Sequence, residues 1–291
     1  VSLDSRLLAA CNVAYFADAG FAGPLTDETP YTKLVGFLEP PHILVGGDFG
    51  INSALVGRIA EGVLITFRGT IGFDDTTRTE SQRVLDWAQD FHATMIDRGD
   101  MPGLVHSGFS AALDSLSDQV DEFVDGRRCL FAGHSKGAAL ATLAAYRYSK
   151  RCSRPTVCTT FGGPRVGDAA FAKAFADSPV SLVRYEAAGD LVPRTPLDLR
   201  AAEILANSLG VEFPHADYCP VGQLLFIEND GGVKRPMGIA ESAVVECESL
   251  FDVGARFISG GGASGIRRSH SIEEGSLYWR ALNSQTKGAA A

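Results

Sequence analysis

The pentapeptide Gly133-His134-Ser135-Lys136-Gly137 constrains this chain more than any other stretch, because of what flanks it. The apolar run Cys129 to Ala132 before it reads as a strand, and the Ala/Leu-rich segment from Lys136 to Tyr148 after it reads as a helix. A G-x-S-x-G match arises by chance at roughly 0.1 to 0.3 per chain of this length and glycine content, so the letters alone say little. The context says more. A serine on a sharp strand-to-helix turn needs residues without side-chain bulk two positions before and two after, so that the backbones can pass closely. Such a turn lifts the hydroxyl off the sheet and aims the first helical N–H groups, with the helix dipole, at a negative charge developing nearby.

A serine hydroxyl is a poor nucleophile at neutral pH and needs a base, which in turn needs an orienting carboxylate. On a strand-turn-helix serine the expected chain order is Ser, then Asp, then His. Asp190 follows the strand-like Leu182 to Ala187 within Gly189-Asp190-Leu191-Val192-Pro193, at a strand's C-terminal end, the edge where α/β sheets carry function. Two histidines come later: His215 precedes the strand-like Gln223 to Ile227, whereas His270 follows it. The base belongs on the loop after the last strand, which selects His270 over His215. His134 is excluded as the base because an immediate neighbour of the nucleophile points elsewhere; it is placed with the substrate-binding candidates instead. His42, His92 and His106 precede the serine and are expected to be structural or exposed.

The rest of the chain supports one α/β domain over 1–291. Ser2 to Phe16 carries apolar residues at helical spacing and reads as an amphipathic helix, while Ala54 to Ala60 and Gly62 to Arg68 read as a hairpin about Glu61-Gly62. From Cys129 onward strands and helices alternate, with further helices near Ala169 to Phe175 and Ile239 to Phe257; this predicts βαβ crossovers and a mostly parallel sheet flanked by helices. The polar stretch Ile71 to Arg83 and the glycine-rich Gly260 to Gly265 read as insertions, and 283–291 as a frayed tail.

At 291 residues with 45% hydrophobic and 21% charged side chains, the chain can bury a sizeable core, and no apolar run approaches the roughly 18 to 20 residues that would span a bilayer. The formal charge of −9 opposes binding to nucleic acid or to an anionic membrane surface, and no stable membrane anchor is expected. No cleavable leader is visible, and a start at Val1 leaves export open, with secretion preferred over a cytoplasmic location. The six cysteines show no CxxC spacing, so no metal site is expected; Cys129 and Cys158 read as buried hydrophobes, and Cys11, Cys152, Cys219 and Cys247 as free or paired.

Beyond the elbow, further marks stand in order: Phe67-Arg68-Gly69-Thr70, Trp87 with Asp90, Val105-His106-Ser107-Gly108-Phe109, Thr160 to Gly167 (TFGGPRVG), Asp190-Leu191-Val192-Pro193 and His270. With these the chain resembles, over roughly Thr66 to Tyr278, the class 3 lipases: filamentous-fungal triacylglycerol lipases and related feruloyl esterases of the α/β-hydrolase superfamily. The resemblance implies a lipid-like or other ester as substrate, no cofactor, and Ser135, Asp190 and His270 as catalytic triad. It also implies that Thr70, through its N–H and hydroxyl, and Lys136, through its N–H, form the oxyanion hole. Ile71, Phe73 and Trp87, with Val84 and Leu85, are expected to form an apolar wall; the helix from Ile239, with Val244, Val245, Leu250 and Phe251, is expected to be core first and acyl pocket second. A monomer is the default.

Two departures matter. The residue after the nucleophile is usually apolar or Gln-like in the family, whereas Lys136 puts a cation at a helix N-terminus, unfavourable by roughly 0.3 to 1 kcal/mol; a salt bridge to Asp74 or Asp75 is one expected compensation, plain solvent exposure the other. Fungal lipases carry an amphipathic helical lid after the FRG segment. Here the lid-like insertion, 71–86, has little large apolar content besides Phe73 up to Arg83, so strong interfacial activation is not expected. Polar-ester esterases, phospholipases A1 and a catalytically silent binding module remain the alternatives.

Overall fold

In the computed structural model, residues 1–16, 22–26, 28–70, 94–124, 126–152, 155–198, 203, 207, 217–256 and 268–283 are described. They form a nine-stranded mixed sheet in the order β1-β2-β3-β4-β7-β8-β9-β10-β11, and a separate two-stranded ribbon of β5 (Met95–Asp97) and β6 (Leu104–His106). One half is antiparallel: β1 (Gly23–Pro24), β2 (His42–Gly46), β3 (Asn52–Ile59) and β4 (Gly62–Phe67). From β4 the sheet continues in parallel through β7 (Cys129–His134), β8 (Thr156–Phe161), β9 (Val180–Ala187) and β10 (Gln223–Ile227), and β11 (Val233–Lys234) closes the edge antiparallel. The hairpin about Glu61-Gly62 and the parallel crossovers expected from Cys129 onward are both present.

The central strands are buried on both faces, which explains their unbroken apolar runs. Alternation still sorts the side chains. Val63, Ile65 and Phe67 of β4 and Cys129 and Phe131 of β7 face one core, shared with α3 (Ser107–Phe123), α4 (Lys136–Cys152) and α5 (Ala169–Ala176) through Leu113, Leu116, Leu140, Leu143 and Phe171. Leu64, Leu130 and Ala132 face the other, shared with α1 (Leu3–Tyr15) and α7 (Leu277–Asn283) through Leu7, Leu8, Val13 and Tyr278.

Helix α1 departs from the amphipathic expectation. Every residue from Leu7 to Ala14 is buried, because Ala9, Ala10 and Ala14 are small enough for the helix to lie in the groove between the sheet, α7 and the short α2 (Pro30–Val35). In α6 (Ile239–Arg256) the expected core face is split: Val245 and Leu250 are buried, whereas Val244 and Phe251 are exposed. Helix α7 starts at Leu277, after a turn at Gly275 with φ +88°. All six cysteines are free, and Cys129 and Cys158 are the buried hydrophobes the sequence suggests, with Cys11 buried in the core on the other face of the sheet. The insertions 71–86 and 260–265 and the tail beyond Asn283 lie outside the described residues.

The pairing register places the site. Phe67 is level with Gly133, His134 with Phe161, and Phe161 with Tyr185, so β4, β7, β8 and β9 end along one edge. The segments leaving those ends carry Thr70, Ser135, Gly162 and Asp190.

Candidate active site

Ser135 is the single residue between β7 and α4, and its φ of +57° is left-handed, a conformation costing a residue with a Cβ roughly 1 to 2 kcal/mol. Its N–H donates to the Phe161 carbonyl at 3.1 Å and its carbonyl accepts from Ala138 N–H at 2.9 Å, so the turn is pinned to the neighbouring strand and the first helical turn. Both flanking glycines are sterically required. A Cβ at Gly133 would overlap the Gly137 carbonyl, and one at Gly137 would overlap the Phe67 carbonyl of β4. The second glycine thus serves the approach of β4's outgoing chain to the elbow, bringing residues 68–70 beside Ser135.

Asp190 sits on the turn after β9 with no exposed surface. A buried carboxylate requires donors, and three are present: Val192 N–H at 3.0 Å on Oδ1, Tyr278 O–H at 2.7 Å on Oδ2, and the His270 ring, whose Nδ1 lies 2.9 Å from Oδ2 and 3.0 Å from Oδ1. The Asp190 carboxylate can only accept, so the proton of the contact sits on His270 Nδ1, and a neutral ring then presents its lone pair at Nε2. Behind this turn, Arg194 is buried with Glu186 at 2.6 Å and Glu246 at 3.6 Å, an ion pair that anchors the loop to β9 and α6.

The ring of His270 lies 4.4 Å, centroid to centroid, from that of His134, the residue next to Ser135. Ser135, Asp190 and His270 are therefore gathered at one place from positions spread over half the chain. His215, the competitor for the base, lies outside the described residues, as do Ile71, Phe73 and Trp87 of the expected substrate wall and Asp74 and Asp75. Thr70 is exposed at the end of the segment leaving β4, and Lys136 opens α4.

The Lys136 ammonium is half-buried and donates to Asn52 Oδ1 at 3.0 Å across the chain leaving β4. Burial, and then the nearby Arg68 guanidinium, hold its pKa below the usual lysine value. His134 departs from the expectation of a substrate contact: its ring is buried, with Nδ1 2.7 Å from Tyr15 Oη and Nε2 2.8 Å from the His270 carbonyl, so both nitrogens are taken up inside the protein. His106 is structural, its Nδ1 accepting from Gly108 and Phe109 N–H at the start of α3.

Four further residues contribute to the site. Tyr278 also accepts from Ala187 N–H at 3.0 Å, so its hydroxyl bridges Asp190 to the end of β9. Burial and the adjoining Asp190 carboxylate raise its pKa well above the usual tyrosine value, which keeps the donor proton in place. Gly162, at φ +55°, makes room: a Cβ there would lie 2.8 Å from Asp190 Oδ2 and 3.0 Å from His270 Nδ1 and Cε1. Tyr15 and Asn52 hold His134 and Lys136. Gly162 was visible as part of the TFGGPRVG run; Tyr15, Asn52 and Tyr278 are joined to their partners only by the fold.

A mixed sheet whose central strands run parallel, with a strained serine at a strand-to-helix turn and an Asp–His pair on later loops, is the α/β-hydrolase fold. Residues 64–199, just under half of the chain, match the family model described as lipase (class 3). Among curated relatives, it is 29% identical over 160 residues to a chloroplastic phospholipase A(1) of Arabidopsis thaliana, covering 46% of this chain and 33% of that one. It is 28% identical over 225 residues to phospholipase A1-II 3 of Oryza sativa, covering 64% and 47%. The chain thus spans a third to about half the length of these relatives. Among solved structures, lipase II from Rhizopus niveus superposes with a TM-score of 0.61 at 19% identity, over 86% of this chain and 91% of that one, a likeness of fold. No helix among the described residues is long and apolar enough to cross a membrane.

Proposed function

We propose that the chain is a serine carboxylic-ester hydrolase acting on acylglycerols or similar lipid esters, as a monomeric single domain. The observation that carries the reading is the Asp190–His270 pair at 2.9 Å, standing beside a serine held at φ +57° between β7 and α4. Ser135 Oγ attacks the ester carbonyl carbon while His270 Nε2 takes its proton. The tetrahedral oxyanion is held by Thr70 N–H and hydroxyl and by Lys136 N–H, a contribution of about 3 to 4 kcal/mol per donor. The intermediate collapses as His270 returns the proton to the leaving alcohol, and water, activated by the same imidazole, then releases the acid from the acyl-serine. Asp190, buried and triply donated to, orients the ring and offsets its charge at each transition state. Neither step needs a metal or organic cofactor.

A second reading, phospholipase A1 activity, is favoured by the plant relatives, whose names assign that activity to them. Both readings share the chemistry and differ in headgroup and position.

The test is hydrolysis of p-nitrophenyl esters from short to long acyl chains, with Ser135→Ala and His270→Ala beside the parent, followed by a phospholipid labelled separately on its two acyl chains. Loss of activity in both variants with a medium- or long-chain optimum supports the proposal, and selective release of the first acyl chain favours the phospholipase reading. A His270→Ala variant at parental rates would move the base to His215. An inert parent would favour a silent binding module.

A further inference from the structure

We propose that Tyr15, His134 and Asn12 form a brace that sets the position of the His270 loop and ties it to the strand end bearing Thr70. The proposal rests on the catalytic reading above, and it assigns positioning roles to residues of α1, which lies outside the 64–199 stretch matching the family.

The protons can be assigned from the partners. The His270 carbonyl can only accept, so His134 Nε2 must carry a proton and donate across the 2.8 Å contact. Burial, and then the neighbouring His270, hold the His134 pKa well below the usual histidine value, so the ring is neutral and Nδ1 presents a lone pair. Tyr15 then donates its O–H to Nδ1 at 2.7 Å, and burial keeps that phenol protonated. The result is a one-way relay, Tyr15 O–H to His134 to the His270 carbonyl. A neutral ring is also the one that can lie 4.4 Å from His270 without opposing the imidazolium formed in each transition state.

Two further contacts make this more than local packing. Tyr15 Oη lies against Gly69, where a Cβ would overlap it, so one hydroxyl touches the residue before Thr70 and, through His134, the His270 backbone. Three residues earlier on α1, Asn12 Nδ2 donates to the Ile272 carbonyl at 3.0 Å. Helix α1 therefore holds the histidine loop at residues 270 and 272. The helix is in turn fixed to the rest of the fold by Tyr185 O–H to Asp4 at 2.7 Å and Ser5 O–H to the Leu282 carbonyl at 2.7 Å.

The test compares Tyr15→Phe, His134→Phe, His134→Gln and Ser135→Ala with the parent. The readouts are kcat and KM on a soluble short-chain ester, labelling by a fluorophosphonate probe, melting temperature, and the low-field proton resonance of His270 Nδ1–H. Tyr15→Phe, which removes one oxygen, is expected to lower kcat about tenfold at unchanged KM and to shift the low-field proton. His134→Phe should lose more, and His134→Gln, whose amide can still donate to the His270 carbonyl, should recover part of that loss at equal melting temperature. Parental kcat in Tyr15→Phe and His134→Phe would overturn the brace. So would losses that follow melting temperature alone, with Gln no better than Phe. A parent that the probe does not label at Ser135 would instead overturn the catalytic reading beneath it.

Discussion

Replacing Gly162 with alanine tests whether the Asp190–His270 pair depends on an absent side chain. The added Cβ would lie 2.8 Å from Asp190 Oδ2 and 3.0 Å from His270 Nδ1 and Cε1, whereas comfortable non-bonded contacts lie at about 3.5 to 4.0 Å. The carboxylate and the imidazole must each withdraw by roughly half an ångström, while Val192 N–H and Tyr278 O–H hold Asp190 in place. Since a misplacement of about 1 Å can cost on the order of a hundredfold in rate, half of that corresponds to about a tenfold fall in kcat. Stability falls for two reasons: the backbone at φ +55° penalises a Cβ by about 1 to 2 kcal/mol, and the overlap adds about 1 to 3 kcal/mol of overpacking. Gly126 separates the two, because it has φ +62° and nothing within 4 Å of its would-be Cβ. Gly126→Ala should lose only the backbone share and keep parental kcat. Urea denaturation and steady-state kinetics on both variants decide the matter; a Gly162→Ala protein with parental kcat and no more destabilisation than Gly126→Ala would refute the argument.

Tyr278→Phe removes a donor from Asp190 Oδ2 and strands the buried Ala187 N–H, so stability should drop by roughly 2 to 4 kcal/mol and kcat by about tenfold, read by urea denaturation and single-turnover acylation; an unchanged midpoint would count against the bridging role. Lys136→Met gives a signed pH prediction. The folded lysine pKa lies below its unfolded value near 10.5, so at neutral pH folding carries a penalty for the charged ammonium. Between the two pKa values the unfolded chain binds more protons at this group, so the lysine's own contribution to stability rises with pH through that window, against the opposite contribution of the buried tyrosines and thiols common to both proteins. The stability of the parent relative to the methionine variant should therefore rise from pH 7 to 11, and thermal melts showing a difference that does not change with pH would refute it.

How much of this was legible beforehand follows from what each residue depends on. The elbow could be read because its requirements are local: an apolar strand, two glycines and a helix-forming run are contiguous, and Ser135 falls between β7 and α4 as the pattern demands. Asp190 and His270 could be read because chain order substitutes for geometry in this fold, and the structure puts them 2.9 Å apart. Helix α1 reads as amphipathic in the sequence because its large apolar residues cluster on one face, whereas burial is completed on the others by alanines that a hydrophobicity pattern counts weakly. The partners of the site stayed hidden for a different reason. Tyr15 meets His134 across 119 positions and Tyr278 meets Asp190 across 88, and no spacing rule links a residue to a partner brought in by sheet order.

Several determinants of the site are exclusions of volume. Gly69 admits Tyr15, Gly137 admits the chain leaving β4, and Gly162 admits the Asp190–His270 pair; at each, a Cβ would collide with a group the site uses. Attractive contacts tolerate partial substitution where water or a similar side chain can reach the vacated partner, at a net cost of about 1 kcal/mol for each hydrogen bond. Steric exclusion inside a close-packed interior has no such substitute, since the displaced groups have nowhere to go. The serine shows the converse: as a residue with a Cβ at φ +57° it bears strain that glycine would relieve, and it is held there by the Phe161 and Ala138 hydrogen bonds. Glycines where side chains would collide, and one serine strained where glycine would be easier, mark a turn whose geometry is over-determined by its surroundings.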